Sequence, residues 1–221
     1  MDLGIPLPWP KPESYKPVTH QPILIWGGSS SVGQYAIQIL RFYGYRNVVT
    51  VASKKQHSLL TSLGAQTTLD YHEKDIVEQL RAVGEFPFIL DCIGSQSNSI
   101  LPISEIARKG AKVAILLPVI IRDSTDTREP EYTMEVATVA NWAEGVQPLG
   151  VRTHHYQQNA FHAEFLQSVV MPEVVGRGIV RPNKHRIVEG VTALAKTQAS
   201  LNALRRKEVS GEKLVWRFGD D

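Results

Sequence analysis

The segment ILIWGGSSSVGQYAIQIL, residues 23–40, restricts the fold more than any other part of this chain. Four consecutive apolar residues, Ile23–Trp26, bounded by turn residues, mark a strand buried on both faces. They run into two glycines, three serines and a third glycine. Val32, Tyr35, Ala36, Ile39, Leu40 and Tyr43 then recur at helical spacing, and Gly44 stops the helix. A buried strand that passes through a turn almost free of side chains into an amphipathic helix is the first half of a βαβ unit.

The alternation continues downstream. Val48–Ala52 is β-branched and apolar and reads as a second strand. Lys55–Leu63 predicts a helix closed by Gly64, Thr67–Asp70 a third strand, and Glu73–Val83 a third helix. Phe88–Ile93 is a fourth strand, Gln96–Arg108 a helix in spite of Pro102, and Ala111–Leu116 a fifth strand. Strands alternating with helices predict an α/β fold, a Rossmann-type doubly wound parallel sheet with flanking helices. Six of the thirteen prolines fall in residues 1–22, so that stretch reads as an extended connector. Beyond Pro118 the pattern weakens. RDSTDTREPE reads as a solvated surface loop and Val151–His155 as a further strand. Phe161–Val175 and Val188–Lys207 read as helices, the second with Leu194, Leu201 and Leu204 inward. EKLVWRF, residues 212–218, reads as a final strand. The expected division is a connector at 1–22, a nucleotide-binding domain at 23–160, and C-terminal helices with a terminal strand at 161–221.

A turn leaving a strand tip and entering a helix points backbone N–H groups into one cavity, where the helix end adds a partial positive charge. Gly27, Gly28, Ser29, Ser30, Ser31, Val32 and Gly33 therefore form a candidate pyrophosphate turn. Gly27 supplies the tight turn and Gly33 lets helix and strand pack closely. Ser30 stands where the usual fingerprint has a glycine, and serine hydroxyls can themselves donate to phosphate. The end of the second strand selects the dinucleotide. An NAD site places an acid there to hold the ribose 2′-hydroxyl. No acid occurs from Asn47 to Ser62, and Ser53, Lys54 and Lys55 stand in its place. Two cations and a hydroxyl suit a 2′-phosphate, so the expected cofactor is NADPH.

Charge and cysteine content exclude other classes. Lys and Arg number 24 against 22 Asp and Glu, a formal net charge of +2, which gives no nucleic-acid or membrane surface. No window approaches the ~18 apolar residues of a membrane span. The lone Cys92 allows no internal disulfide and no cysteine zinc site and suits a reducing, cytoplasmic compartment. His20, His154, His155 and His162 lack Cys or acidic partners at ligand spacing, so no metal is expected.

PLPWPKP, ILIWGGSSSVGQYAIQ, SLGAQTTLDYHEKD, LDCIGS, GAKVAIL and VSGEKLVWRF, in this order, resemble the medium-chain dehydrogenase/reductase superfamily. The match is nearest to the ToxD-like, zinc-annotated group that includes trans-acting enoyl reductases of polyketide pathways. The resemblance implies an NADPH-dependent oxidoreductase that transfers hydride to an α,β-unsaturated carbonyl or thioester in secondary metabolism. The substrate would be a small molecule, including a polyketide bound to a carrier protein. A quinone or alcohol oxidoreductase, or a catalytically silent NADPH-binding module, stays open. By position, Ser53 and Lys55 would meet the 2′-phosphate, and Tyr71 the adenosine ribose. Gly94, Ser95, Leu116 and Leu117 would border the nicotinamide ribose and ring. Members of the superfamily begin with a GroES-like domain, and this chain begins at the connector that follows it. The terminal helix and strand would then be remnants that pack on that domain. The apolar seam expected near Trp9, Trp216 and Phe218 would favour self-association. No cysteine precedes the glycine turn within residues 1–22, so zinc-independent chemistry is the expectation.

Overall fold

The computed structural model describes residues 3–125 and 127–218. Six parallel strands form one sheet: β1 (Ile23–Trp26), β2 (Val48–Val51), β3 (Thr67–Leu69), β4 (Phe88–Asp91), β5 (Lys112–Leu116) and β8 (Gln147–Val151). Their order is β3-β2-β1-β4-β5-β8, so the chain starts in the middle, winds outward to β3, and crosses back to β4. Ile23 pairs with Val48 on one side and with Phe88 on the other. The strand order reverses between β1 and β4, and it is outside the carboxyl ends of strands at such a point that open α/β sheets bind ligands.

Alternate residues of each strand enter opposite layers, as the pleat requires. Leu24, Val49, Ile89 and Val113 face helices α3 (Ile76–Val83) and α4 (Leu101–Ile106), meeting Leu80, Ile103 and Ile106. Ile23, Ile25 and Val48 face α1 (Ser31–Phe42) and α2 (His57–Leu63), meeting Ile37, Leu40 and Leu60. The proline-rich connector closes this second layer. Ile5 is buried in it. Tyr15 Oη donates to Pro6 O at 2.7 Å, Tyr43 Oη to Pro8 O at 2.6 Å, and Lys11 Nζ to Phe42 O at 2.7 Å. Between α1, the connector and the ends of β4, β5 and β8 an open apolar cavity of about 320 Å³ remains, lined by Ile5, Ile25, Ala36, Leu90, Leu116 and Val151 among others.

Most sequence-predicted elements in the first half stand within a few residues of expectation. Pro102 falls in the first turn of α4, where its missing N–H costs nothing, and a π-turn over Gln96–Ile100 precedes it. β4 stops at Asp91 rather than Ile93, because the Asp91 carboxylate draws the next N–H groups into a turn. Past Pro118 four expectations are corrected. The loop expected over RDSTDTREPE has ordered ends: β6 (Val119–Arg122) pairs antiparallel with β7 (Glu131–Thr133), and Arg122 bridges to Glu131 at 2.8 Å. The strand expected at Val151–His155 is Gln147–Val151 instead, and Thr153–Gln158 forms a 3-10 turn. The helix expected over Phe161–Val175 is α5 (Ala160–Phe165) and α6 (Met171–Gly176), joined by a π-turn.

The fourth correction concerns the C-terminal segment. The helix expected over Val188–Lys207 is only α7 (Ala193–Arg205), and the residues before it form β9 (Lys184–Ile187), which pairs parallel with β10 (Glu212–Val215). The leucines expected to face inward face out, with Leu194, Leu201 and Leu204 at 77, 52 and 54% exposure. Lys196 and Ser200 are buried in their stead; Lys196 Nζ donates to Arg217 O at 3.3 Å, and Ser200 Oγ to Lys196 O at 2.9 Å. Lys196 packs its methylene stem beside Gly190 and satisfies its ammonium on a main-chain carbonyl, an arrangement open to long amphipathic side chains. Trp9 lies on Phe42, with ring centroids 6.1 Å apart, while Trp216 neighbours Phe218, which is exposed.

Candidate functional site

The turn after β1 is built around carbonyl oxygens that consume part of its donors. Gly27 N–H and Gly28 N–H both donate to Val51 O, at 2.9 and 3.1 Å, which ties the turn to the end of β2. Gly27 has φ +81°, and a Cβ there would run into Ile93. A Cβ on Gly28 would collide with Thr50, whose hydroxyl donates to Ile25 O at 2.9 Å. At Gly33 a Cβ would stand 2.5 Å from Gly27 O and 2.7 Å from Gly28 Cα. Ser30 is the N-cap of α1: its Oγ accepts from Gly33 N–H at 3.1 Å. Ser31 and Val32 open the helix, where N–H groups have no partner within the helix. They and Ser29 stand at the carboxyl end of β1, and among the described residues their N–H groups meet no main-chain acceptor.

The second cluster follows β2. Ser53 precedes a 3-10 turn, Lys54–Gln56, and both lysines are exposed. Lys54 N–H donates to Asp70 Oδ2 at 3.2 Å. Asp70 carries no signal in the sequence, because the fingerprint acid belongs at the end of the second strand and this one stands after the third. Its Oδ1 also accepts from His72 N–H at 3.0 Å and pairs with His72 Nδ1 at 2.7 Å. Partial burial works against the ionised form, but the hydrogen bonds from His72 and Lys54 outweigh it and hold the carboxyl below its usual range. Tyr71 is 47% exposed and lies on the His72 ring at 4.0 Å, so its hydroxyl is free of the core.

The third cluster faces the first across the reversal point. Gly94 has φ +62°, and a Cβ on it would stand 2.5 Å from Leu116 O. Ser95 is buried, its N–H donating to Ser99 Oγ at 3.0 Å. Gly94 O accepts from Ile120 N–H at 2.7 Å. Leu116 lines the apolar cavity, whereas Leu117 packs on the core layer of α3 and α4. The two leucines thus serve opposite faces of the sheet. Asp91 was also passed over in the sequence. It is fully buried beneath this cluster, and burial pushes its carboxyl up against the opposing hydrogen bonds from Ser99, Ile93 and Gly94. Cys92 lies beside the glycine turn; burial, with the neighbouring Asp91, pushes its thiol up to about 12, which leaves it protonated and unreactive at neutral pH.

The architecture therefore gathers Gly27–Gly33, Ser53–Lys55, Gly94–Ser95 and Leu116 along the carboxyl ends of adjacent strands. Tyr71 stands at the far end of that row. Comparison with known proteins gives the same direction. A family model described as zinc-binding dehydrogenase matches residues 31–116. The trans-enoyl reductase gkaC of Penicillium citrinum is 30% identical over 205 residues, covering 88% of this chain and 54% of that protein. Over most of its length the chain is thus similar to trans-enoyl reductases, and over residues 31–116 to zinc-binding dehydrogenases. In fold, a quinone oxidoreductase from Coxiella burnetii superposes with a TM-score of 0.64 at 22% identity, over 90% of this chain and 53% of that one. A complex of Etr1p with NADP and crotonyl-CoA gives 0.61 at 14% identity, over 93% of this chain and 57% of that one. The chain spans about half the length of the curated relatives it matches.

Two groups associated with the superfamily can be tested against the residues present. The family description names zinc, but among the described residues no group of three or more His, Cys, Asp or Glu side chains can hold a metal ion. The one thiol, Cys92, is half-buried and its pKa is raised, so the described residues offer zinc no ligand set. A nicotinamide dinucleotide fits the geometry: the turn after β1 is a cradle that a single Cβ at Gly28 or Gly33 would fill. Among the described residues no helix is long and apolar enough to cross a membrane.

Proposed function

We propose that this chain carries the NADPH site of an enoyl-reductase-type oxidoreductase acting on α,β-unsaturated carbonyls or thioesters, including polyketides held on a carrier protein. The observation that carries the reading is the juxtaposition of two anion sites. Gly27 and Gly28 bond to the last residue of β2, so the glycine turn and the exposed Ser53-Lys54-Lys55 cluster lie side by side. The spare N–H groups of Ser29, Ser31 and Val32 and the N-terminus of α1 would hold the pyrophosphate. Lys54, Lys55 and the Ser53 hydroxyl would hold the 2′-phosphate. Asp70, the acid nearest this cluster, already accepts from Lys54 N–H and is paired with His72.

Bound there, NADPH supplies the hydride. The chain's own part is to bind, orient and keep water out. Gly94, Ser95 and Leu116 form the lip opposite the glycine turn, and the apolar cavity beside Leu116 and Val151 keeps that end dry. Titration calorimetry tests the reading. NADPH should bind at least about ten-fold more tightly than NADH, a difference of about 1.4 kcal/mol. Lys55→Ala should lose most of that preference while leaving NADH affinity unchanged. Equal affinity of the unaltered chain for the two dinucleotides would sink it.

A further inference from the structure

Among the described residues Asp91 is the one fully buried carboxylate, and its surroundings are specific. Oδ1 accepts from Ile93 N–H at 2.9 Å and from Gly94 N–H at 3.1 Å. Oδ2 accepts from Ser99 Oγ at 2.7 Å. Ser99 Oγ accepts in turn from Ser95 N–H at 3.0 Å. No cation takes part among the described residues: each donor is neutral. A buried carboxylate without a counter-ion is expensive, and an apolar residue in its place would fill the layer at no such cost. What the carboxylate supplies is the shape of residues 92–95. Through one side chain and one relay hydroxyl it fixes the N–H groups of three successive residues, Ile93, Gly94 and Ser95. Gly94 is thereby held against Leu116 O, at a separation that admits no side chain.

We propose that Asp91 and Ser99 are positioning residues, which hold the Gly94–Ser95 backbone as the β4 lip of the crevice and so set how tightly the nicotinamide half of the cofactor is bound. This rests on the cofactor reading above. On that reading the 2′-phosphate end would lie over β2 and the pyrophosphate at the β1 turn, so the remaining half of the dinucleotide would reach across the reversal point to β4 and β5. The lock acts on that half alone. It also acts through hydrogen-bond geometry rather than charge. In Asp91→Asn the carboxamide oxygen can keep Ile93 and Gly94, and its NH₂ can donate to Ser99 Oγ. The Ser99 proton then turns to Ser95 O, which already stands 3.0 Å away.

The experiment compares two ligands by calorimetry: NADPH, and adenosine 2′,5′-bisphosphate, which has the 2′-phosphate and lacks the nicotinamide. Asp91→Ala should weaken NADPH about five-fold or more, the worth of about one hydrogen bond, and leave the bisphosphate within about two-fold. Asp91→Asn should restore NADPH to within about two-fold of the unaltered chain. Should Asp91→Ala fail to fold, Ser99→Ala, which keeps the carboxylate, should show the same selective loss. Unchanged NADPH affinity in the folded variant, or equal loss of both ligands, would overturn the proposal. An unaltered chain that binds neither ligand would overturn the cofactor reading and this one with it.

Discussion

Gly33 occupies the first turn of α1, and on helix propensity alone alanine there would be favoured by up to about 1 kcal/mol. The geometry opposes this. A methyl group would meet Gly27 O at 2.5 Å and Gly28 Cα at 2.7 Å, both main-chain atoms that cannot swing aside. Overpacking of this kind costs about 1–3 kcal/mol, so Gly33→Ala should lower stability. Gly176, at the end of α6, is the control: a Cβ there meets nothing within 4 Å. Gly176→Ala should leave the thermal midpoint unchanged or raise it. Equal melting curves for the two variants would refute the close-approach argument. The glycines of the turn were legible in the sequence because their need is local. Asp70 and Asp91 were not. Each stands at the end of a strand, in TTLD and FILD, and the sign that Asp91 was buried and Asp70 multiply hydrogen-bonded was in each case only its place beside residues that must be covered.

Among the elements, the connector behaves as part of the core although its composition suggests a solvated strap. Proline removes donors, so the segment cannot join the sheet; it is fixed instead by the Tyr15 and Tyr43 hydroxyls on its own carbonyls and by its Lys11 on the carbonyl of Phe42. Ile5 is 8% exposed and seated between α1 and the sheet. Ile5→Ala should cost about 2 kcal/mol, read as a lower urea midpoint with an unchanged slope. A shift within error of zero would mean that the connector is only laid on the surface. The strands and helices up to β5 were legible because each is announced by its own period, and α1, α2 and α3 are stopped by Gly44, Gly64 and Gly84. β8 was not: QPLGV has a proline, a glycine and no β-branched run, and it becomes a strand only because β5 offers it an open edge. α7 misled for the opposite reason. Its apolar residues have helical spacing, but spacing assigns a face, and nothing in it says whether that face meets protein or water.

At the scale of the whole molecule, that face departs from an ordinary monomer surface. Leu194, Leu201 and Leu204 stand open on α7, with Val191 and Phe218 also exposed. Contiguous exposed apolar residues associate with whatever apolar surface meets them. Residues 1–221 alone should therefore sediment as a concentration-dependent mixture of monomer and larger species, and Leu201→Ser with Leu204→Ser should shift it toward monomer. A single monomeric boundary at every concentration would contradict this.

The central position of β1 also fixes when the crevice comes into being. Ile23 finds its β2 partner 25 residues along the chain and its β4 partner 65 residues along. Loop closure is dearer for the second contact, and a chain emerging from its N-terminus meets the first contact sooner. The glycine turn and the lysines beside it can thus be assembled while their opposite lip is still unfolded chain. A ligand that spans both lips has nothing to hold until β4 has docked. It cannot serve as a template on which the sheet is built. It can only draw the finished molecule away from unfolding, by mass action, so that the last pairing to form is the one that such a ligand seals.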